Sequence, residues 1–186
     1  GVLATKGVVV PNAVGVDIGC GMCAVKTSLN ADGLTRKELT SVMSYIRQTI
    51  PLGFEHQKNA VDESLVPEGL TDNLPFLKDK RKMMLHEIGT LGGGNHFIEI
   101  QKDTKTGDVW AMVHSGSRHL GLLTANHYNK IAESWCEKWY ADTRPGLAFL
   151  PIECQEGKDY MNEMSFCVRL AFANRSAMME RIKEGF

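Results

Sequence analysis

Near its amino terminus the sequence contains the stretch Val14-Gly15-Val16-Asp17-Ile18-Gly19-Cys20-Gly21-Met22. Its apolar residues Val14, Val16 and Ile18 alternate as in a strand, and the glycines on either side of Cys20 permit backbone angles that other residues avoid. The stretch therefore predicts a strand that delivers a carboxylate and a thiol, three residues apart, into a glycine turn. A thiolate and a carboxylate this close repel each other, so a bound metal ion that neutralises both is the favoured interpretation.

Two other interpretations of this stretch stay open at this point. A free cysteine is often a small buried hydrophobic residue, and an aspartate at the end of a strand often only caps a turn. The segment Cys20-Gly21-Met22-Cys23 also has the C-x-x-C spacing of redox pairs and of half a zinc site. Asp17 and Cys20 are thus candidate metal ligands that need support from the rest of the chain.

The composition is typical of a folded domain. The chain has 186 residues, of which 43% are hydrophobic and 23% are charged, and this is enough for one sizeable core. The net charge of −1 gives no global sign of a nucleic-acid or membrane partner, so any RNA contact must come from a local patch. Five cysteines with one close pair do not form a secreted disulfide framework, which favours a reducing, cytoplasmic setting.

Apolar periodicity predicts an α+β fold, in which mixed or antiparallel strands carry the site residues and amphipathic helices pack beside them. Within residues 8–27, strands are expected on both sides of the turn at 19–21, the second of them over residues 22–27. A hairpin is expected from strands at 96–101 and 109–114, which a polar loop joins.

Helical signals occur in four places along the chain. A capping box of Thr35 and Glu38 begins an apolar stripe that ends at Pro51. A short basic helix is predicted over residues 78–85, a longer one reaches Trp139, and a last helix with an apolar face follows near the carboxyl terminus.

Two further expectations concern the loops and the last helix. Residues 51–76 show no sustained period and predict a long loop of the kind that covers or binds a ligand. Asn174 and Arg175 lie in the last helix, where an exposed face is the default for such polar residues and an inward-facing pair is the exception.

A second motif is the glycine-rich segment Gly92-Gly93-Gly94-Asn95-His96-Phe97-Ile98-Glu99. Consecutive glycines cost folding entropy and usually let a backbone approach something closely. The segment matches neither a P-loop nor the dinucleotide fingerprint. Asn95, Phe97 and Glu99, spaced by two, suit a nucleobase and its sugar, although an exposed polar edge is the ordinary alternative.

The predicted hairpin brings two histidines together. If Gln101 pairs with Val109, His96 lies directly opposite His114, about 5 Å away at Cβ, and the two side chains can share a metal site. The residues spaced by two around Phe97 then occupy the other face of the hairpin. A slip of one residue would put the two histidines on opposite faces.

The hairpin continues into a third motif, His114-Ser115-Gly116-Ser117-Arg118. A strand followed by a small polar turn and a helix start is a ready anion site, because free backbone N–H groups and the helix dipole favour a phosphate. Ser117 and Arg118 add side-chain donors. The alternative is that Ser117 only caps the helix. The pattern assigns no role to Cys23, His56, His86, His119 and His127.

Together and in this order, the three motifs resemble those of the RtcB-type RNA ligases, over essentially the whole chain and about the first half of a family member. The resemblance implies an enzyme that joins an RNA end bearing a 3′-phosphate or 2′,3′-cyclic phosphate to one bearing a 5′-hydroxyl, with GTP and two Mn²⁺ ions. Such sealing serves tRNA splicing and RNA repair. The implied partners are RNA, with tRNA halves as the expected substrates, and GTP, but no membrane. A helper protein that reactivates the enzyme is a further partner to consider.

The motifs also imply roles for individual residues. One Mn²⁺ ion is expected to bind Asp17, Cys20 and His96, and the other to bind His114 and the bridging thiolate of Cys20. The guanine nucleotide is expected to contact Asn95, His96, Phe97, Ile98 and Glu99. An RNA or nucleotide phosphate is expected near Ser117 and Arg118. Thiolate and imidazole ligands alone favour zinc over manganese, so the identity of the metal comes from the resemblance.

The resemblance places the family's guanylated histidine, and a further metal histidine, beyond Phe186, so this chain offers no candidate for the guanylylation step. Residues 1–186 are expected to form one RtcB-like catalytic domain that is incomplete at both ends. Two rivals remain. One is a truncated, non-catalytic RNA- or metal-binding remnant. The other is a C-x-x-C redox or zinc protein, in which Cys23 would matter as much as Cys20.

Overall fold

The segment before the central sheet is not the strand that its alternating valines predict. The computed structural model describes residues 2–186, and in it β1 (Val8–Val9) is followed by α1 (Pro11–Val14) and by bends up to Cys20. Proline is favoured in the first turn of a helix, and it starts α1 here. Gly15 and Gly19 then adopt φ values of 99° and 77°, which end any extended run.

A three-stranded antiparallel sheet forms the centre of the fold. It contains β2 (Gly21–Asn30), β3 (Phe97–Lys102) and β4 (Asp108–Ser115), with β4 in the middle. The predicted second strand at 22–27 and both strands of the predicted hairpin are therefore confirmed as elements. With the helices described below, the sheet confirms the α+β class.

The register of the hairpin differs by one residue from the predicted one. Gln101 pairs with Trp110 rather than with Val109, and Phe97 rather than His96 lies opposite His114. The turn explains the difference, because the side chain of Asp103 accepts hydrogen bonds from the backbone amides of Lys105 and Thr106, at 2.7 and 3.0 Å. With this Asx-type turn the last pair of the hairpin is Lys102 and Val109, so β3 continues one residue further than the predicted pairing allows.

The two faces of the sheet differ in burial. On the inner face, Val113 and Ala111 of β4 pack with neighbouring aliphatic residues against helices, in a core that also contacts Cys23. The outer face carries His114, and its pairing partners Met22 and Phe97 lie on the same side. Phe97 thus shares a face with His114, which corrects the expectation that it lies on the other face.

Four longer helices complete the fold. They are α2 (Arg36–Thr49), α3 (Arg81–Glu87), α4 (Arg118–Lys138) and α5 (Gln155–Glu184), and β5 (Leu150–Pro151) pairs with β1. The capping box of Thr35 and Glu38 is present at the start of α2. A short helical turn, Lys78–Lys80, precedes α3 and completes the predicted basic helix. Residues 51–76 form the predicted long loop, with one short helical turn, Glu63–Leu65.

Helix α5 links the different parts of the core. Its residues belong to all three hydrophobic clusters of the described chain: Tyr160 packs against α4, Phe166 against the long loop and α3, and Met178 against the sheet. Asn174 and Arg175 are only 1% and 4% exposed. The expectation that this polar pair lies on an exposed face is therefore wrong. Within residues 2–186 no helix has the length and apolar character needed to cross a membrane.

Candidate functional site

Side chains from three distant segments converge at one end of the sheet. The sulfur of Cys20 lies 3.0 Å from Nε2 of His114 and 3.6 Å from Nε2 of His96. These three ligand atoms lie within 4.8 Å of one another, which is close enough for them to hold one metal ion. Oδ2 of Asp17 lies 2.7 Å from Nε2 of His96. The structure thus brings together all four side chains singled out as metal ligands.

The two histidines meet although the hairpin register differs from the predicted one. His96 precedes β3 and follows Gly94, whose φ is 72°, so the alternation of the strand does not fix the direction of its side chain. Its ring is oriented instead by the carbonyl oxygen of Leu91, which lies 2.9 Å from Nδ1. That contact turns Nε2 towards Asp17 and Cys20.

The contact between Asp17 and His96 needs a proton or a metal cation between its two atoms. A carbonyl oxygen only accepts hydrogen bonds, so Nδ1 of His96 must donate to Leu91. In the neutral ring, Nε2 then carries no proton, and its lone pair faces the carboxylate oxygen of Asp17 at 2.7 Å. Two acceptors at this distance need a proton shared between them or a metal cation that binds both. A backbone carbonyl that orients a histidine ring in this way is common at metal sites.

The thiol of Cys20 also needs a nearby cation before it can ionise at neutral pH. Burial, together with a hydrogen bond to Asp17 and its negative charge, raises the pKa of Cys20 to about 11, against the opposing charge of Arg175. Without a further cation the thiol stays protonated at neutral pH. Cys23 does not share this environment, because it lies on the inner face of β2 and packs against the core. The placement of Cys23 gives no support to a C-x-x-C site.

Asn174 holds two of the site loops together. Its Oδ1 accepts hydrogen bonds from the amides of Gly89 and Thr90, at 2.8 and 3.2 Å. Its Nδ2 lies within 3.2 Å of the carbonyl oxygen of Thr90, Oγ of Ser115 and the carbonyl oxygen of Gly116. One buried amide therefore connects the segment that leads to His96 with the one that follows His114.

Arg175 connects the remaining loop. Its Nη1 donates to the carbonyl oxygens of Gly19 and Ser115, both at 2.8 Å. These carbonyls belong to the residues next to Cys20 and His114. The guanidinium also places a positive charge beside the acidic pair formed by Asp17 and Cys20.

The two residues of the predicted phosphate site differ in their environment. Ser117 is fully buried, and its hydroxyl donates to the carbonyl oxygen of Ile18 and makes no capping hydrogen bond. Arg118 reaches across the long loop, because its Nε donates to Oγ1 of Thr90 at 2.9 Å and its Nη2 donates to the carbonyl oxygen of Gly53 at 3.3 Å. Gly92 has a φ of 88°, which favours glycine, and a side chain there would also meet this guanidinium.

A cavity of about 650 Å³ lies beside the converging side chains. Asp17 and His96 line this cavity, and so do Arg118 and Glu87. The remaining lining residues include three that the motifs did not indicate, namely Phe54, His56 and His119. Phe54 and Glu87 lie outside every motif, and no periodicity or spacing in the sequence marks them.

Glu87 is a buried acid at the edge of this cavity. It is 3% exposed, and burial raises its pKa to about 7, although Arg118 and the backbone amides of Leu120 and His119 lower it. His56 is the other titratable group that faces it, with Nδ1 4.0 Å from Oε1 of Glu87. The carboxyl group is therefore poised to change its charge near neutral pH.

Comparison with known proteins identifies one family. The family model described as "tRNA-splicing ligase RtcB" matches residues 1–74 and 68–186. The RNA-splicing ligase RtcB of Escherichia coli K12 is 33% identical over 200 residues, which cover 97% of this chain and 48% of that protein. The tRNA-splicing ligases RtcB of Methanococcus maripaludis and Thermococcus kodakarensis are 29% and 26% identical, over 97% and 98% of this chain and 46% and 47% of theirs. The chain spans about half the length of the curated relatives it matches.

Replacing Asn174 by alanine is expected to destabilise the chain by about 2–4 kcal/mol, because buried amides and carbonyls of both loops lose their partner. Urea unfolding followed by circular dichroism measures the change. Ser176→Ala is the matched control, since Ser176 is exposed on the same helix and its loss should stay within about 0.5 kcal/mol. Equal stability of Asn174→Ala and the control would show that the loops are held by other contacts.

The raised pKa of Glu87 predicts a pH-dependent stability. The folded state holds the proton more tightly than the unfolded state, so stability falls as pH rises from about 4.5 to about 7. The loss attributable to Glu87 reaches up to about 3 kcal/mol. Glu87→Gln should match the wild type at pH 4.5 and be more stable at pH 8 in urea unfolding. The exposed Glu68→Gln should differ from the wild type at neither pH, whereas a less stable Glu87→Gln at pH 8 would contradict the assignment.

Proposed function

The chain belongs to the RtcB family of tRNA-splicing ligases, and we propose that it supplies the metal-binding part of an RNA ligase active site. The proposed reaction joins an RNA end bearing a 3′-phosphate or 2′,3′-cyclic phosphate to an RNA end bearing a 5′-hydroxyl, with GTP. The expected substrates are tRNA halves, in a cytoplasmic setting that keeps the cysteines reduced. A helper protein that reactivates the enzyme is part of the proposal.

The observation that supports this function most directly is the carboxylate–imidazole contact between Asp17 and His96, with Cys20 and His114 beside it. A thiol, two imidazoles and a carboxylate are the ligand types of a first-row divalent metal site. We assign one Mn²⁺ ion to Asp17, Cys20 and His96, and a second to His114 and the shared thiolate of Cys20. When bound, these ions hold and polarise phosphoryl groups.

The outer face of the sheet is the proposed place for the guanine nucleotide. The ring of Phe97 packs edge-on against that of His114, with centroids 5.2 Å apart, and offers a surface for a base beside the metal ligands. Glu99 is exposed on the same face, where its carboxylate can accept hydrogen bonds from a base or sugar. Asn95 and His96 belong to the same proposed nucleotide segment, whereas the side chain of Ile98 packs against the core on the inner face, so the expected contact of Ile98 is limited to its backbone.

Arg118 is the proposed contact for a phosphate group. Its guanidinium lines the cavity beside Asp17 and His96, and its anchoring to Thr90 and Gly53 fixes its position before a ligand binds. Ser117 has a different role in this geometry. Its buried hydroxyl holds the carbonyl of Ile18 and so positions the turn that carries Asp17 and Cys20.

Cobalt(II) titration of the chain tests the metal site. The wild type should develop a thiolate-to-cobalt charge-transfer band, and Cys20→Ala should abolish it because Cys20 is the proposed thiolate ligand. His114→Ala should weaken cobalt binding by at least about 10–100-fold, the range known even for indirect partners of a metal. Cys23→Ala is the matched control and should bind like the wild type. A band that survives Cys20→Ala, or that depends equally on Cys23, would refute the assignment.

Binding of RNA ends tests the link from metal to substrate. Mn²⁺ should strengthen binding of a single-stranded RNA with a 3′-phosphate more than binding of the same RNA with a 3′-hydroxyl, because only the phosphate can reach the ions. Fluorescence anisotropy with and without Mn²⁺ measures this difference. It should vanish in Cys20→Ala and persist in Cys23→Ala. Equal effects of Mn²⁺ on both RNA ends would count against the proposed function.

A further inference from the structure

A second cavity lies next to the first and is not explained by the metal site. It has a volume of about 840 Å³ and is formed by the end of α2, the start of the long loop and one residue of α5. Both cavities are lined by Phe54 and His56, so these two rings stand where the cavities meet. We call the cavity beside Asp17 the inner cavity and the second one the outer cavity. Together they form one groove that leads away from the metal ligands.

Phe54 is presented to solvent on a fixed backbone. Its side chain is 100% exposed, although a phenyl ring gains free energy when it leaves water. The residue before it is held on two sides, because the amide of Gly53 donates to the carbonyl of Gly92 at 2.9 Å and the carbonyl of Gly53 accepts from Arg118. An exposed aromatic ring on an anchored loop is a ready platform for a planar ligand.

The outer cavity is basic. Its charged lining residues are Arg47, Lys58 and Arg181 against the single carboxylate of Glu55. Among the described residues, Arg47 and Lys58 take part in no ion pair. Arg181 donates to the carbonyls of Thr49 and Gly89 and adds its charge to the lining of the cavity. The outer cavity therefore attracts an anionic ligand, although the whole chain has a net charge of −1.

We propose that this groove binds a single RNA strand. The reacting end lies in the inner cavity, a base stacks on Phe54, and the phosphates farther from the reacting end lie near Arg47 and Lys58. An aromatic platform within a basic groove is the way in which proteins bind single strands without reading their sequence. Each cavity has the size of a small-molecule site, so a single nucleotide fills only one of them. The inference rests on the proposed function, because it takes RNA to be the substrate.

The test compares the binding of two ligands. Fluorescence anisotropy measures the labelled RNA directly, and competition against that RNA measures the unlabelled ligand. One is a single-stranded RNA of eight nucleotides with a 3′-phosphate, and the other is a nucleoside 3′-phosphate, which reaches only the inner cavity. Phe54→Ala should weaken binding of the octamer by about 5–150-fold, the range for the loss of one stacked base, and Phe54→Trp should restore it. Tyr140→Ala is the control, because Tyr140 is 95% exposed and lies outside the groove.

Salt dependence tests the basic part of the groove. Arg47→Ala and Lys58→Ala should each lower the slope of log K against log salt by about 0.7 for the octamer, since each removes one phosphate contact. They should leave binding of the nucleoside 3′-phosphate unchanged. Arg36→Ala, at the other end of α2, and Lys105→Ala, in the hairpin loop, are exposed controls and should not alter the slope.

The outcomes separate the groove from the proposed function. If the groove variants bind the octamer as well as the wild type does, the proposal that the groove binds an RNA strand is refuted. The cobalt and Mn²⁺ experiments still test the metal site and the ligase proposal independently. An absence of octamer binding by the wild type also refutes the groove. If Phe54→Ala weakens only the nucleoside 3′-phosphate, the ring belongs to a mononucleotide pocket and the strand proposal is wrong.

Discussion

The geometry of the site depends on two buried polar side chains of α5, Asn174 and Arg175. They hydrogen-bond to backbone groups next to Cys20, next to His114 and in the loop that leads to His96. A buried hydrogen bond is stronger than an exposed one, and an unmade one is costly, so these contacts leave the loops little freedom. A helix at the far end of the described chain thus fixes the distances between proposed metal ligands that lie near the start and the middle of that chain.

The site also concentrates groups that are unfavourable together in the absence of a ligand. Asp17 faces the ring of His96, and the same carboxylate opposes ionisation of Cys20. Arg175 offsets part of this charge but contacts backbone carbonyls rather than the acids themselves. The fold therefore holds in place an arrangement that a cation would relieve, which is how a preorganised metal site favours binding.

The sequence allowed the elements to be predicted better than the contacts between them. The capping box placed α2 and the alternation of apolar residues placed the hairpin, because both signals are local. The strand expected through Val16 was wrong because Pro11 and Gly15 dominate the local backbone, and the register was wrong because Asp103 sets the turn. His96 and His114 do meet, but through the carbonyl of Leu91 rather than through cross-strand pairing. The burial of Asn174 depends on partners distant in sequence, and no local pattern reveals it.

The loop that carries Phe54 and the segment that carries His96 are mechanically joined. Gly53 hydrogen-bonds to Gly92, and Leu52 forms a bridge with the same residue, which begins the glycine-rich segment before His96. Arg118 ties Gly53 to Thr90 on the other side. A ligand that displaces the loop at Phe54 would therefore act on the backbone that orients His96, a proposed metal ligand. By linkage, the free energy that couples the two sites acts equally in both directions, so the proposed metal at His96 and the proposed strand at Phe54 would each change the other's binding by the same amount.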